Sequence, residues 1–271
     1  MERIFPDMQT CLFDSHCHLD DARFDEDREQ LIASLPGQGI GACLTCGSDL
    51  PSSRAALELA KQYDFIYAAA GIHPHEAGKA AREDLAGVGA LLTHPRVVAL
   101  GEIGLDFYYD FSPRETQEAL LIEQLDLAFE MKKPVILHVR ESHGAMLDIL
   151  RARKGRLPGG VLHCFSGSAQ SVPVYEKLGF HISFAGSVTF KNAAKLREAA
   201  RAVSPDRLLI ETDSPYLSPE PFRGRRNHPG QVAEVCRALA DAHRMSFAEM
   251  AELTCRNAAK LFGTPQLGGT V

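Results

Sequence analysis

Eight short runs of apolar and β-branched residues punctuate this chain, at residues 11 to 15, 39 to 45, 65 to 70, 97 to 102, 134 to 139, 160 to 164, 180 to 184 and 207 to 212. Longer segments of helical period lie between them, so the chain reads as repeated strand and helix units. Two helix starts are marked. Ser112-Pro113 with Glu115 in the first turn opens a helix over 113 to 132, and Pro51 opens one over 51 to 63. Two further helices, about 229 to 243 and 246 to 262, follow the last strand. Eight such units in about 250 residues favour a (β/α)8 TIM barrel over a doubly wound sheet, which more commonly has five or six strands. With 45% apolar residues in 271 and no Ser/Pro/Gly-rich linker, the expectation is an α/β chain forming one domain over residues 1 to 271.

Composition narrows the class. No apolar run approaches the eighteen residues of a membrane span, and the start MERIFPDMQT carries charges where a signal peptide would be apolar, so a cytoplasmic protein with no membrane partner is expected. Cysteines number seven, and five of them (Cys11, Cys17, Cys43, Cys46, Cys164) sit in or beside apolar segments as buried thiols would. Cys43 and Cys46 form a C-x-x-C, but no second pair follows at zinc-finger spacing. The net charge of −6 argues against a protein that grips duplex nucleic acid through many phosphates. It leaves open a single phosphate held at a metal site, where the ions supply the local positive charge.

A barrel places its active residues at the carboxyl ends of its strands. Six side chains able to bind metal stand there: His16 and His18 after the first run, Glu102, His138, His163 and Asp213. His16 and His18 are two apart, so on an extended backbone both rings face the barrel axis while Cys17 faces away. A single strand-end histidine is usually an ordinary, partly buried polar residue. Six ligands converging on one mouth, divided between imidazole and carboxylate, are what a hydrolytic divalent-metal site needs.

The segments DSHCHLD, GIHPHEA, GEIGLDFYYD, ILHVRES, LHCFSGS and ETDSPYLSPEPFRGRRNHP occur in that order, and with the closing RNAAKLF the chain resembles the TatD family of metal-dependent deoxyribonucleases, within the amidohydrolase superfamily. The resemblance covers almost the whole chain. It implies a TIM barrel holding one to three divalent ions and hydrolysing DNA phosphodiesters, often as a 3′ to 5′ exonuclease, with DNA ends, expected to be single-stranded, as substrate and no obligate protein partner. Two positions depart from the family's common pattern: His228 stands where Glu is common, and Glu141-Ser142 where Asp-Ala is common. Many amidohydrolases bridge two metals with a carboxylated lysine on strand 4, and Glu102 is a permanent carboxylate at that place. By this analogy His16, His18 and Asp213 hold one ion and His138 and His163 the other, with Glu102 between them. A shared water would deprotonate near neutral pH, giving the attacking hydroxide, and Asp213 would pass a proton to the leaving oxygen. Two or three ions are expected, and the ligand set suits Mg²⁺, Mn²⁺ or Zn²⁺.

Substrate phosphate also needs donors. Arg140 lies two residues past His138, and Arg223 and Asn227 stand in the loop after strand 8, where barrels often bind phosphate. His73 binds phosphate or a third ion, and His75 buttresses its loop. Asp106 and Glu211 are expected behind the ligands, Asp106 as acceptor for a ligand imidazole, and Asp14 stands to His16 as Glu211 does to Asp213. Phe107, Tyr108 and Tyr109 either stack on a base or cover the mouth. His94, His143, His181 and His243 read as surface or packing residues. Two other functions fit the same residues: an ester or amide hydrolase such as a D-aminoacyl-tRNA deacylase, and a noncatalytic barrel stabilised by metal.

Overall fold

The computed structural model describes residues 11 to 265. Eight strands, β1 (Leu12–Cys17), β2 (Ile40–Cys46), β3 (Ile66–Ala70), β4 (Val97–Asp106), β5 (Val135–Arg140), β6 (Gly160–Leu162), β7 (Phe180–Phe184) and β8 (Leu208–Ile210), form one sheet in chain order. Every neighbouring pair is parallel. A parallel bridge between Cys17 and Ser214 brings the first strand to the last, and the Asp213 amide donates to the His16 carbonyl at 2.9 Å. The barrel expected from the sequence is therefore present, with its seam held by the two segments that carry His16, His18 and Asp213.

The helices are α1 (Arg28–Ser34), α2 (Leu50–Gln62), α3 (Arg82–Leu91), α4 (Arg114–Met131), α5 (His143–Ala152), α6 (Val172–Lys177), α7 (Ala194–Ala202), α8 (Val232–His243) and α9 (Phe247–Phe262). α2 starts at Leu50, one residue before the proline that marks it, because Asp49 caps it: its carboxylate accepts from the Ser52 amide at 2.8 Å while the Ser52 hydroxyl accepts from the Asp49 amide at 3.0 Å. α8 likewise begins at Val232 rather than about 229, since residues Pro229–Gln231 form a separate tight turn of helix.

Two buried clusters hold the barrel. One packs outward-facing strand residues such as Ile66, Leu100 and Leu137 against the helices, for example Leu121 and Leu125 of α4. The other joins strand residues Phe13, Leu44, Ile136, Val161 and Leu209 to Cys255, Ala258 and Phe262 of α9, so α9 closes the floor. The Phe13 ring lies 6.1 Å from that of Phe262 and 6.3 Å from that of Tyr67. Each large apolar side chain fully buried in this way contributes about 1.5–3 kcal/mol.

Most strand boundaries shift by a residue or two from those expected, and those of β4, β6 and β8 bear on the site. β4 runs four residues beyond Glu102, to Asp106, and pairs with β5 as far as Arg140. Gly104 makes this possible: its φ is +147°, and a Cβ there would stand 2.0 Å from the His138 carbonyl oxygen. β6 and β8 are three residues each, so His163 and Asp213 sit just past their strands on the loops. The β1 to β2 register slips between Asp14 and Cys17, which breaks the count by twos along β1. Asp14 consequently has no ligand-supporting place like that of Glu211. Its carboxylate accepts from the Thr212 amide at 2.8 Å and the Thr212 hydroxyl at 2.6 Å, tying β1 to the chain beyond β8.

Candidate metal centre

Glu102 stands at the middle of the mouth, buried, with five imidazoles around its carboxylate. Oε1 lies 2.7 Å from His163 Nε2, 3.0 Å from His138 Nδ1 and 3.4 Å from His73 Nε2, and Oε2 lies 3.3 Å from His16 Nε2 and 3.5 Å from His18 Nε2. Asp213 Oδ1 closes the other side, 3.7 Å from His16 Nε2 and 3.6 Å from His18 Nε2. The chain places Asp213 there with a left-handed backbone, φ +55°.

The outer nitrogens decide what the inner ones present. His18 Nδ1 donates to the Cys46 carbonyl at 2.9 Å, which leaves Nε2 facing the centre. His138 Nε2 donates to Asp106 Oδ2 at 3.0 Å, which leaves Nδ1 inward. His163 turns Nδ1 toward Glu211 Oε1 at 3.4 Å and Nε2 inward, and His16 Nδ1 meets the Cys46 thiol at 3.4 Å. Imidazole nitrogens and two carboxylates thus converge on one small space, an arrangement that calls for positive charge, protons or metal ions, between them. The same attraction is visible in proton affinity. Burial depresses the His18 ring, but the hydrogen bond to Asp213 and the Glu102 charge outweigh it and hold its pKa up at about 9. His163 is raised well above the ordinary imidazole range, since Glu102 and then Glu211 overcome its burial. Glu102 itself is held well below the usual carboxylate range: burial opposes this, but His163, His73 and His16 prevail. Three ligand groups form within this cluster: His16, His18 and Asp213; His16, Glu102 and His163; and His73, Glu102 and His138. The donor set fits more than one divalent ion.

His73 differs from the other rings. Its Nδ1 accepts from the His75 amide at 3.1 Å, so the neutral ring carries its proton on Nε2, the atom that faces Glu102. Burial pushes its pKa down to about 4, which keeps it neutral. It presents an N–H donor to the mouth.

Asp106, at the end of β4, is fully buried and accepts four hydrogen bonds. Oδ2 takes His138 Nε2 and His75 Nε2, the latter at 2.9 Å, and Oδ1 takes the amides of Tyr108 and Tyr109 at 3.0 and 2.9 Å. Glu211 Oε1 also accepts from the Cys164 amide at 2.6 Å. Arg140 lies at the rim with its guanidinium over the Tyr108 and Tyr109 rings, 4.3 and 4.6 Å from their centroids.

The two expected loop donors are not gathered into the centre. Arg223 is exposed and stacks on Phe190 at 4.1 Å. Asn227 is completely buried, and its amide donates to the carbonyls of Thr212 and Tyr216 at 2.9 and 2.6 Å while its oxygen accepts from the His228 amide. Those bonds use the side chain to shape the loop, leaving none for a phosphate. Phe107 is also displaced from its expected role, being half-buried under Arg114. Not expected from the sequence are the role of Cys46, which orients His16 in β1 and His18 just past it, and the exposed rings of Phe111 and Tyr216. The signal for Cys46 was its place at the end of the strand next to β1.

A parallel eight-stranded barrel whose mouth gathers histidines and carboxylates in this way is of the metal-dependent hydrolase class. The sequence pattern described as TatD related DNase matches residues 13–263. An uncharacterized metal-dependent hydrolase of Bacillus subtilis, YabD, is 42% identical to this chain over 93% of it and 98% of its own length. The protein named 3′-5′ ssDNA/RNA exonuclease TatD in Rahnella is 35% identical over 93% of this chain and 98% of its own. The crystal structure of YJJV, a TatD homolog from Escherichia coli, superposes with a TM-score of 0.88 at 34% identity, covering 94% of this chain and 98% of that one. The chain belongs to the TatD family and is a metal-dependent hydrolase.

Proposed function

We propose that this protein is a 3′ to 5′ exodeoxyribonuclease that trims single-stranded DNA ends by hydrolysing the terminal phosphodiester. The carrying observation is the set of inward imidazole nitrogens around Glu102, a donor set that fits divalent ions. Relatives named as 3′-5′ ssDNA/RNA exonucleases support the choice of substrate. In this reading His16, His18 and Asp213 would hold one ion and His138 and His163 another, with Glu102 available to both. When bound, such ions acidify a shared water and offset the charge of the phosphate.

The chain's own residues supply the rest. Asp213 is held below its ordinary pKa, because the His18 hydrogen bond and then the charges of His163 and His16 overcome its burial; it is therefore ionised and able to accept a proton from the attacking water and pass it to the leaving oxygen. His73 offers its Nε2–H to a phosphate oxygen, which favours a substrate-binding role over a third ion site. Asp106 fixes the His138 ring by a hydrogen bond, and Glu211 stands 3.4 Å behind His163 Nδ1. Arg140 stands ready at the rim for the next phosphate along the strand. Among the described residues no helix is long and apolar enough to cross a membrane, which accords with action on DNA in the cytoplasm by a one-domain enzyme.

The test is end-labelled single-stranded DNA, the same sequence in RNA, and a carboxyl ester, each incubated with protein stripped by chelator and reloaded with Mg²⁺, Mn²⁺ or Zn²⁺. Stepwise 3′ shortening of DNA that stops on chelation is expected. Ester cleavage with no shortening under any metal would overturn the assignment, and elemental analysis of protein purified without added metal identifies the resident ion.

A further inference from the structure

The large apolar side chains that remain exposed among the described residues are Tyr108, Tyr109, Phe111, Phe129, Tyr216 and Leu217. All but Phe129 stand on two loops at the mouth of the barrel, those that follow β4 and β8. Exposed apolar surface gathered at one place marks a contact with something else. Tyr108 and Phe111 are the most open, at 60% and 68%.

These rings are held in order. Tyr109 and Phe111 stack at 5.2 Å with 16° between their planes, and Tyr108 meets Tyr109 edge-on. Arg140 spans Tyr108 and Tyr109. The loop is pinned by the two amides bonded to Asp106 and by the pair Arg114 to Asp110 at 2.9 Å. It abuts the candidate centre: His75, which shares Asp106 with His138, meets Tyr109 at 5.6 Å and Phe111 at 4.8 Å. On the other side Tyr216 lies 6.0 Å from the His18 ring, with the Arg23 guanidinium 4.0 Å over its face. Strands β4 and β8 are four apart in a ring of eight, so the two arrangements face each other across the mouth.

We propose that these are two stacking ledges for unpaired nucleobases, one on each side of the phosphate at the centre. The inference rests on the nuclease reading and adds how a strand is selected. Aromatic faces accept any base, and an arginine beside the ring adds both stacking and attraction for the neighbouring phosphate. A base paired within a duplex has its faces covered by its neighbours, whereas a frayed or single-stranded end offers them. Preference for single strands then arises at the ledges rather than at the hydrolytic centre.

The experiment uses single-stranded oligonucleotides that are intact, or abasic at the last or at the next-to-last position from the 3′ end, with Tyr109→Ala and Tyr216→Ala beside the unaltered protein. Stacking on an aromatic side chain changes binding roughly 5- to 150-fold per base. Removing the base at a position served by a ledge should lower kcat/KM by that range, and the alanine variant of that ledge should lower it on intact DNA but not further on the abasic strand. Each variant should abolish sensitivity at one position only, and Tyr109→Phe should restore it. A second readout is independent of turnover: 2-aminopurine at the same positions, in a strand with a phosphorothioate 3′ linkage, should be quenched on binding and lose the quench in the matching variant. Trimming that ignores base removal, or variants that slow intact and abasic strands alike with the quench unchanged, would overturn the ledges and leave the nuclease standing. Quenching without trimming under any metal would keep the ledges and refute the nuclease.

Discussion

Asp106→Asn changes one buried oxygen to an amide and should disable the centre without touching an inward-facing ligand atom. The carboxylate has four lone-pair sites and meets four donors, the Nε2–H groups of His138 and His75 and the amides of Tyr108 and Tyr109. Asparagine keeps only one oxygen, so two donors must face an NH₂ group. Each buried donor left without a partner costs about 1–3 kcal/mol, giving about 2–6 kcal/mol of lost stability if the rings stay as they are. If the amide faces the histidines, His138 escapes part of that cost by moving its proton to Nδ1, but Nδ1 is the atom that faces Glu102 at 3.0 Å. A protonated Nδ1 cannot ligate. Either route should weaken binding at one ion by about 10- to 100-fold and reduce trimming in step. Calorimetric metal titration beside thermal unfolding, with and without metal, reads both effects. Wild-type metal affinity in a folded Asp106→Asn protein would refute the claim that this carboxylate sets the His138 tautomer.

Asp213→Asn should leave the circular dichroism spectrum intact and lower kcat on single-stranded DNA by about 10²- to 10⁴-fold; near-normal turnover would remove Asp213 from proton transfer. His73→Phe should raise KM about tenfold or more, the scale of one hydrogen bond to a charged group, with metal content per chain unchanged; loss of an ion on elemental analysis would instead make His73 a ligand. Gly104→Ala forces a Cβ to within 2.0 Å of the His138 carbonyl at a φ of +147° and should cost about 3 kcal/mol or more. Denaturant unfolding within 1 kcal/mol of wild type, a margin of about the size of an ordinary substitution, would show that β4 and β5 can part there freely.

Much of the fold was legible because fully buried parallel strands must be short apolar runs, and the intervening helices carry their own start signals. The ligands were legible because the barrel delivers strand ends to one mouth, so order along the chain becomes proximity in space. What escaped depended on pairing rather than composition. Glycines at 101 and 104 weaken the strand signal, and only the β5 partner shows that β4 continues to Asp106. The register slip in β1 cannot be counted from spacing, so Asp14 was given a place like that of Glu211 when it ties the barrel seam. Asn227 lay in the right loop with the right chemistry, yet its amide is spent on backbone carbonyls that no motif announces. Phe111 and Tyr216 were missed because nothing in a sequence distinguishes an exposed aromatic ring from a buried one.

The floor of the barrel carries a consequence for how the chain is made. Phe13 near the start of the described chain packs on Phe262 near its end, and α9 completes the cluster that lines β1. On a ribosome, β1 emerges well before α9 and must wait for that helix before its inner face is covered. Until then the growing polypeptide carries an open apolar ring, so premature termination anywhere before α9 yields a product for chaperones and proteases rather than a weakened enzyme.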